Sequence, residues 1–162
     1  MQEIIIHPFD PIYDKDSEIL ILGTLPSVKS RENEFYYGHP QNRFWKILGA
    51  LDEEDTPVSV EEKKTFLLRH HIALWDVIQS CEIKGSSDSS IKNVTANDIS
   101  GLLNETKIHA VFCNGKKAQA LFDRYIGKPQ NLTATALPSS SPANAAWKLE
   151  KLIEEWSIIK TT

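Results

Sequence analysis

The segment "GHPQNRFWKIL" (residues 38–48) places two carboxamides, Gln41 and Asn42, where an amphipathic helix is predicted to begin. The side-chain oxygen of Asn42 could accept a hydrogen bond from a following backbone N–H and cap that helix. The same carboxamide could instead orient a water molecule or a leaving group in a hydrolytic site. Residue type alone leaves both interpretations of Asn42 open.

Two preceding segments carry groups suited to a planar ligand. Gly23 ends an apolar run, and its turn could point backbone N–H groups at a ligand as oxyanion-type donors. A plain Gly/Pro turn explains the same residues, and neither a P-loop nor a dinucleotide-binding pattern occurs there. Tyr37, in "FYYGHP", could stack on a nucleobase for about 1–3 kcal/mol. His39 could be a hydrogen-bonding spacer or could line the site.

Two later loops are candidates for contact with phosphate groups. The "LPSSSPAN" segment (137–144) and the "NGKK" segment (114–117) each follow a predicted strand and precede a predicted helix, a position that favours anions. Both lie in the stretch 107–151, which contains seven basic and two acidic residues. A solvated turn would explain either loop, so both interpretations stay open.

Other classes of chemistry find little support in the residues. His70 and His71 do not show a recognised metal-binding spacing. A Ser27, His39 and Asp76 triad can be written down, but the G-x-S-x-G turn that would support it is absent from the sequence. The two cysteines are too few for a disulfide framework or for the four thiolates of an iron–sulfur cluster.

The composition is that of a folded, water-soluble protein. The chain has 162 residues, a formal charge of −4, 41% hydrophobic residues and 25% charged residues. No apolar run approaches the roughly 18 residues of a membrane-spanning helix, and the N-terminus lacks the basic charge of a signal peptide. We therefore expect one domain over residues 1–162, a cytoplasmic location and no contact with membranes.

Four apolar runs predict buried strands, at residues 18–23, 72–78, 108–113 and 132–137. Helices are predicted between them: Ser59 and Glu62 form a capping box, Asn97 or Asp98 caps a later helix, and Gly127 ends another. Residues 81–95 are predicted to be a polar loop, and a last helix is predicted over residues 145–156. This alternation predicts a three-layer α/β/α fold around a mainly parallel sheet of four or five strands. In such a sheet the ligand site lies beyond the carboxyl ends of the strands, where the loops described above gather.

Five ordered segments together resemble the uracil-DNA glycosylase superfamily, and most closely its hypoxanthine-DNA (deoxyinosine) glycosylase branch. They are "LGTLPSVKS", "FYYGHPQNRFW", "LWDVIQSCEIKGSSDSSI", "FCNGKKA" and "LPSSSPAN", and the likeness runs from about Ile19 to Trp147. The mismatch-specific uracil and thymine glycosylases have a similar H-P-x-N-R-F-W segment. Their G-I-N-P motif carries an asparagine that activates the hydrolytic water, whereas this chain has "GTLP", with Leu25 at that place.

The resemblance implies a role for each matching residue. Asn42 falls on the asparagine that takes over the catalytic role in the hypoxanthine branch, and Tyr37 falls on the aromatic residue that stacks against the flipped base. The resemblance lacks a match for the large apolar wedge that some relatives insert into the base stack. The other residues expected to contact the base are Gly23, Thr24, Leu25, His39 and Asn114, and those expected to contact DNA are Ser139, Ser140, Ser141, Pro142 and Asn144.

The activity implied by the resemblance is hydrolysis of the N-glycosidic bond of a deaminated base, most of all hypoxanthine, which leaves an abasic site. Such a reaction passes through an oxocarbenium-like state, so the protein must stabilise the departing base and place a water near C1′. We expect the Asn42 carbonyl to orient that water. The expected partner is double-stranded DNA, with single strands as a second candidate, and the expected enzyme is a monomer without metal or cofactor. The alternatives are a mismatch-specific uracil or thymine glycosylase and a non-catalytic nucleotide-binding module.

Overall fold

The computed structural model describes residues 3–7, 9–25, 35–84 and 90–161. The strands in these ranges are β1 (Glu3–Ile6), β2 (Ile19–Gly23), β3 (Ile72–Asp76), β4 (Ile78–Ile83), β5 (Lys92–Ala96), β6 (Ala110–Asn114) and β7 (Ala134–Leu137). The α-helices are α1 (Phe44–Leu51), α2 (Val60–Arg69), α3 (Ile99–Asn104), α4 (Lys116–Tyr125) and α5 (Leu149–Trp156), with short 3-10 helices at Pro129–Asn131 and Ser157–Lys160.

Four of these strands form a parallel sheet in the order β3-β2-β6-β7. Side chains alternate along β2, so that Leu20 and Leu22 enter one apolar cluster while Ile19 and Ile21 enter the other. Helices α3 and α4 pack in the first cluster, and helices α1, α2 and α5 pack in the second. The three-layer α/β/α fold predicted from the sequence is therefore confirmed.

The predicted helix ends are found where their capping residues stand. The Ser59 hydroxyl accepts a hydrogen bond from the Glu62 N–H at 3.0 Å, and Asp98 Oδ1 accepts one from the Gly101 N–H at 3.0 Å. Gly127 has a φ of +82°, the left-handed conformation that ends α4. Within the described ranges, every helix is too short or too polar to cross a membrane.

The prediction of a polar loop over residues 81–95 is wrong in part, because β4 and β5 occupy much of it. These two strands pair antiparallel, and β1 pairs with the other side of β4, which gives a second sheet in the order β1-β4-β5. At the turn between β3 and β4, Asn97 Nδ2 donates to the carbonyls of Asp76 (2.8 Å) and Ile78 (3.2 Å). β1, which pairs with β4, lies far away in the sequence, and β5 carries few apolar residues. The local sequence therefore gave no signal for these strands. Residues 85–89 of the predicted loop lie outside the described residues.

Candidate active site

A cleft of about 270 Å³ opens at the carboxyl ends of the parallel strands β2, β3, β6 and β7. This edge of the sheet is where open α/β folds bind their ligands. The predicted residues that line the cleft are Gly23, Thr24, Leu25, Tyr37, Asn42, Asn114, Ser139, Ser140 and Ser141. The cleft is also lined by Tyr36 and Asp76, to which no role was assigned from the sequence, and by Gly115, Lys116 and Lys117 of the "NGKK" segment.

Asn42 both caps a helix and lines the cleft. Its Oδ1 atom accepts a hydrogen bond from the Phe44 N–H at 3.0 Å, at the first residue of α1. The same oxygen accepts a second hydrogen bond from the Ser140 hydroxyl at 2.8 Å. Both lone pairs of the carbonyl oxygen are therefore engaged, whereas the Asn42 Nδ2 group has no hydrogen-bond acceptor among the described residues. The carboxamide is left with its NH2 group for a ligand.

Ser140 connects Asn42 to Asn114, the residue that ends β6. Asn114 Oδ1 accepts a hydrogen bond from the Ser140 backbone N–H at 2.9 Å, and Asn114 Nδ2 donates to the Ser140 hydroxyl oxygen at 2.9 Å. The carboxamide of Asn114 thus uses one N–H and one lone pair on Ser140, which fixes its orientation. Three residues from three different elements form one hydrogen-bonded row along the cleft.

The loop over residues 138–147, which we call the wall loop, is held chiefly by the side chain of Arg43, in addition to Asn114 at Ser140 and the Trp156 indole N–H, which donates to the Pro138 carbonyl at 2.8 Å. The guanidinium of Arg43 donates to the backbone carbonyls of Ser141 (2.7 Å), Asn144 (3.2 Å) and Trp147, and more weakly to that of Ser140 (3.4 Å). The Arg43 backbone N–H also donates to the Ser140 carbonyl at 3.1 Å. A planar guanidinium with five N–H donors suits this arrangement of carbonyls.

The same contacts explain why the last helix starts later than predicted. The Trp147 carbonyl accepts a hydrogen bond from Arg43 instead of from an N–H group one helical turn further on. The Asn144 carbonyl accepts one from Arg43 and another, in a tight turn, from the Trp147 N–H at 3.1 Å. Residues 145–147 therefore belong to the wall loop, and α5 begins at Leu149 with Lys148 as its N-cap residue. The predicted start of this helix at residue 145 is wrong for that reason.

Gly23, Tyr37 and Asp76 form a second part of the cleft lining, which we call the floor. Gly23 and Asp76 end neighbouring parallel strands in register. A β-carbon added to Gly23 would collide with Asp76 Oδ1 and would lie 2.6 Å from the Tyr37 hydroxyl. Gly23 is therefore required here by space, since the oxygens of two side chains meet at its α-carbon.

Asp76 is a buried carboxylate fixed by the N-terminal segment of the chain. His7 Nε2 donates to Asp76 Oδ2 at 2.7 Å, and both side chains are less than 5% exposed. The other ring nitrogen of His7 lies 2.8 Å from the Phe9 carbonyl. Asp76 Oδ1 has no hydrogen-bond partner among the described residues, so the floor contains a carboxylate oxygen ready to accept a hydrogen bond.

Tyr37 is held in an unusual conformation at the floor. Its backbone has a φ of +52°, which is uncommon for a residue with a side chain. Its ring stacks on that of Phe44 with 4.1 Å between centroids. Burial raises the pKa of the Tyr37 hydroxyl, and the Asp76 carboxylate raises it further. This buried hydroxyl stays protonated and has no hydrogen-bond partner of normal geometry among the described residues, although the Asn114 side chain is near.

Three residues predicted to contact base or DNA do not line the cleft. His39 Nδ1 accepts a hydrogen bond from the Gln41 N–H at 3.0 Å, and the His39 carbonyl accepts one from the Asn42 N–H at 3.0 Å. The spacer interpretation of His39 is thus the one that its contacts favour. Asn144 Nδ2 donates to the Ser139 carbonyl at 3.0 Å and borders a neighbouring groove. Pro142 also lies outside the cleft lining. Ser27 of the unsupported triad is outside the described residues.

Lys116 and Lys117 begin α4 at the rim of the cleft, directly after Gly115. Gly115 has a φ of +99° and packs its α-carbon against Ser139 of the wall loop. No acidic residue stands in the first turn of α4, so the helix dipole and both ammonium groups favour an anion at this end. The "NGKK" pattern after a buried strand signalled this feature. No local pattern signalled the roles of Arg43 and Asp76.

One cluster elsewhere in the described residues has the composition of a metal site. Side-chain atoms of Asp52, Glu54 and His70 lie within 4.8 Å of one another. His70 Nε2 lies 2.6 Å from Glu54, and Arg69 and Lys160 pair with Glu54 and Asp52. Because cationic side chains already balance both carboxylates, we interpret this cluster as an ion-pair network. None of its members lines the cleft.

Comparison with known proteins finds similarity over almost the whole length of this chain. A family model described as the uracil DNA glycosylase superfamily matches residues 11–160. A protein of Methanosarcina acetivorans named hypoxanthine DNA glycosylase is 37% identical over 153 residues, which cover 93% of this chain and 95% of that protein. A protein of the same name from Methanosarcina barkeri is 38% identical over 112 residues, or 68% of this chain and 71% of that one.

A solved structure extends the likeness to three dimensions. The solution NMR structure of a Methanosarcina acetivorans protein superimposes with a TM-score of 0.81 at 32% identity, and the match covers 98% of this chain and 99% of that one. The range matched by the family model includes the floor, Asn42 and the wall loop. The chain belongs to the uracil DNA glycosylase superfamily.

Proposed function

We propose that this protein is a monofunctional DNA glycosylase that hydrolyses the N-glycosidic bond of deaminated bases in DNA, hypoxanthine first among them. The observation that carries the proposal is the free NH2 group of Asn42 in a cleft where Leu25 stands at the end of β2. The side chain of leucine cannot bind a water molecule, and the other carboxamide of the cleft, that of Asn114, already uses one donor and one acceptor on Ser140. The names of the two Methanosarcina relatives support hypoxanthine as the substrate.

Asn42 positions the attacking water through its NH2 group rather than through its carbonyl, which the sequence had suggested. The carbonyl oxygen already accepts two hydrogen bonds. A water that accepts a hydrogen bond from Nδ2 keeps its second lone pair for C1′. Because the sugar has much oxocarbenium character before the water bonds to it, orientation contributes more here than a strong base would.

The floor recognises the base by its hydrogen-bonding groups. Hypoxanthine, uracil and xanthine all present a ring N–H beside a carbonyl, whereas adenine and cytosine present an unprotonated ring nitrogen at that place. Asp76 Oδ1 lines the cleft without a partner among the described residues, and a carboxylate accepts from the first group and repels the second. Tyr37 stacks on the extruded base, and backbone N–H groups around Gly23 and Thr24 stabilise charge on the leaving base.

The wall loop and the start of α4 hold the DNA backbone. Ser139 and Ser141 supply hydroxyls, with Pro142 shaping the loop, and Lys116 and Lys117 supply positive charge at a helix N-terminus. The substrate is double-stranded DNA, in which a weakly paired deaminated base is extruded at a lower free-energy cost than a normally paired base. Single strands are a second substrate. The enzyme acts as a cytoplasmic monomer, one domain over residues 1–162, and its chemistry requires no metal or cofactor.

The proposal is tested with three duplexes that carry one deoxyinosine, one deoxyuridine or one deoxyxanthosine. We expect an alkali-labile abasic site with the deoxyinosine duplex first. Preferential release of uracil would indicate a mismatch-type uracil glycosylase instead. Binding of the three duplexes without any strand break after alkali would indicate a non-catalytic module and would overturn the proposal.

Two additions make this test sharper. Asn42→Ala should reduce the single-turnover rate by orders of magnitude while unfolding free energy falls by about 1 kcal/mol, the value of a lost cap. Asn104→Ala, at the end of α3, is a matched control that should keep the wild-type rate. Borohydride should trap no protein–DNA adduct, because Lys116 and Lys117 are assigned to phosphate; a trapped adduct would identify a Schiff-base enzyme and contradict the monofunctional mechanism.

A further inference from the structure

Ser140 differs from the two serines that flank it. Its side chain is completely buried, with 0% of the residue exposed. The hydroxyls of Ser139 and Ser141 each accept a hydrogen bond from a backbone N–H, at 3.1 Å in both cases, and keep a proton that they can donate to an anion. The Ser140 hydroxyl instead joins two side chains of the protein. The middle serine of the wall loop is therefore turned away from the DNA.

The direction of each hydrogen bond in this row is fixed by two backbone N–H groups. At one end the Ser140 N–H must meet the oxygen of Asn114, so Asn114 presents its NH2 group to the Ser140 hydroxyl. The hydroxyl therefore accepts there and donates its proton to Asn42 Oδ1. At the other end the Phe44 N–H also requires the oxygen of Asn42. Two independent anchors thus remove the usual ambiguity in assigning amide oxygen and nitrogen.

We infer that Ser140 is a positioning residue for hydrolysis and not a residue that grips DNA. Its hydroxyl fixes the plane of the Asn42 carboxamide so that the NH2 group holds the water in line with C1′. Without the Ser140 hydroxyl, the Asn42 side chain keeps one hydrogen bond, the one that it accepts from the Phe44 N–H, and the carboxamide can rotate. This inference rests on the proposed function of Asn42, but its geometry exists in the protein without DNA.

The first experiment separates positioning from DNA binding. Ser140→Ala should reduce the single-turnover rate on a deoxyinosine duplex by about tenfold to a hundredfold, the range for misplaced catalytic groups, with a change of less than about threefold in Kd. Ser17→Ala is the matched control, because Ser17 is equally buried, accepts a hydrogen bond from the Asp14 N–H and precedes β2 at the other end of the sheet. An increased Kd with an unchanged rate would identify a DNA-gripping serine and overturn the inference.

A double-mutant cycle tests whether Ser140 acts through Asn42. If it does, Ser140→Ala should have almost no further effect on the rate once Asn42→Ala is present. Two losses that multiply would show that Ser140 acts independently and would contradict a positioning role.

The last experiment does not depend on activity. The side-chain NH2 signals of Asn42 are identified in the NMR spectrum of the free protein by their loss in Asn42→Ala. Ser140→Ala should shift this pair, and Ser17→Ala should leave it unchanged. Unchanged Asn42 signals in Ser140→Ala would overturn the inference even for an active enzyme. Shifted signals in a protein that releases no base would support the geometry while the proposed function fails.

Discussion

The floor and the wall loop border the same cleft, but different forces hold them. Gly23 and Asp76 are ends of neighbouring strands, and Asp76 is buried with His7. The wall loop is irregular backbone whose carbonyls converge on the guanidinium of Arg43. The floor is consequently an extension of the core, whereas the geometry of the wall loop depends on a few side-chain hydrogen bonds, chiefly those of Arg43.

Because of this difference, substitutions in the floor and in the wall loop should have different effects. A close-packed floor has no space for added atoms, so changes in volume there should affect recognition of the base and stability together. A loop held by hydrogen bonds can lose its shape while the sheet persists, so changes there should affect DNA binding and the setting of Asn42. Four substitutions test this division, from the largest expected effect to the smallest.

Gly23→Ala should have the largest effect. The added methyl group would collide with Asp76 Oδ1 and lie 2.6 Å from the Tyr37 hydroxyl. Overpacking of this kind costs about 1–3 kcal/mol, and a displacement of about 1 Å at a site can cost a hundredfold in rate. We therefore expect a loss of at least about a hundredfold in single-turnover rate on a deoxyinosine duplex.

Gly127→Ala serves as the control for this loss. Because Gly127 has a φ of +82°, alanine at this position should lower the free energy of unfolding by about 1–2 kcal/mol. No described atom lies within 4 Å of the added carbon, and the residue is outside the cleft. We expect it to keep the wild-type rate. A Gly23→Ala rate within a few-fold of wild type would mean that the floor is more adaptable than its packing implies.

Arg43→Ala should disorder the wall loop without altering base preference. Its guanidinium donates to several backbone carbonyls, so its loss should lower unfolding free energy by about 2 kcal/mol. We expect Kd for DNA to rise about tenfold and the rate to fall, while the ratio of hypoxanthine to uracil release stays constant. Arg69→Ala, an exposed arginine paired with Glu54, is the matched control. A changed base ratio would contradict the separation between wall loop and floor.

Asp76→Asn should produce the opposite pattern. A carboxamide occupies the same volume but places an NH2 group where one carboxylate oxygen stood. Hydrogen bonds to charged groups contribute about 1.5–3 kcal/mol, so hypoxanthine release should slow by about tenfold or more. Discrimination against adenine should weaken, with little change in Kd for undamaged DNA. Asp16→Asn, an exposed aspartate paired with Lys107, is the control. Unaltered selectivity would remove Asp76 from base recognition.

Lys117→Ala should have the smallest effect. Loss of one phosphate contact should weaken DNA binding by a few-fold for all sequences and lower the slope of log K against log salt by about 1. Lys151→Ala, an exposed lysine on α5, should change neither quantity. A salt slope equal to that of the wild type would show that Lys117 makes no phosphate contact.

The central sheet and its helices could be predicted because their signals are local. An apolar run such as residues 18–23 is buried on both faces wherever it lies in a parallel sheet. A capping serine such as Ser59 needs only the residue three positions later. The β1-β4-β5 sheet was missed because β5, "KNVTA", has no such run and depends on β4 for its conformation.

The residues of the site also divide into those that the sequence indicates and those that it does not. Asn42, Tyr37 and the serines of the wall loop stand in contiguous motifs, so a resemblance in sequence was enough to find them. Asp76 ends an apolar strand in one of the five segments, but the resemblance gave it no role, and its contact with His7 spans 69 positions. Arg43 stands inside a recognised motif, yet its partners lie about 100 positions away, and no local rule connects them.

The long span of these contacts has a consequence for synthesis of the protein. Asn42 and Arg43 leave the ribosome early, but their partners Ser140 and Trp147 are 98 and 104 positions later. All four strands of the central sheet precede Ser140 in the chain, and the last of them ends at Leu137. The row that orients Asn42 forms only when the last loop arrives. A nascent chain thus completes its last strand before Asn42 has its second hydrogen bond, and the setting of that side chain depends on the loop that follows β7.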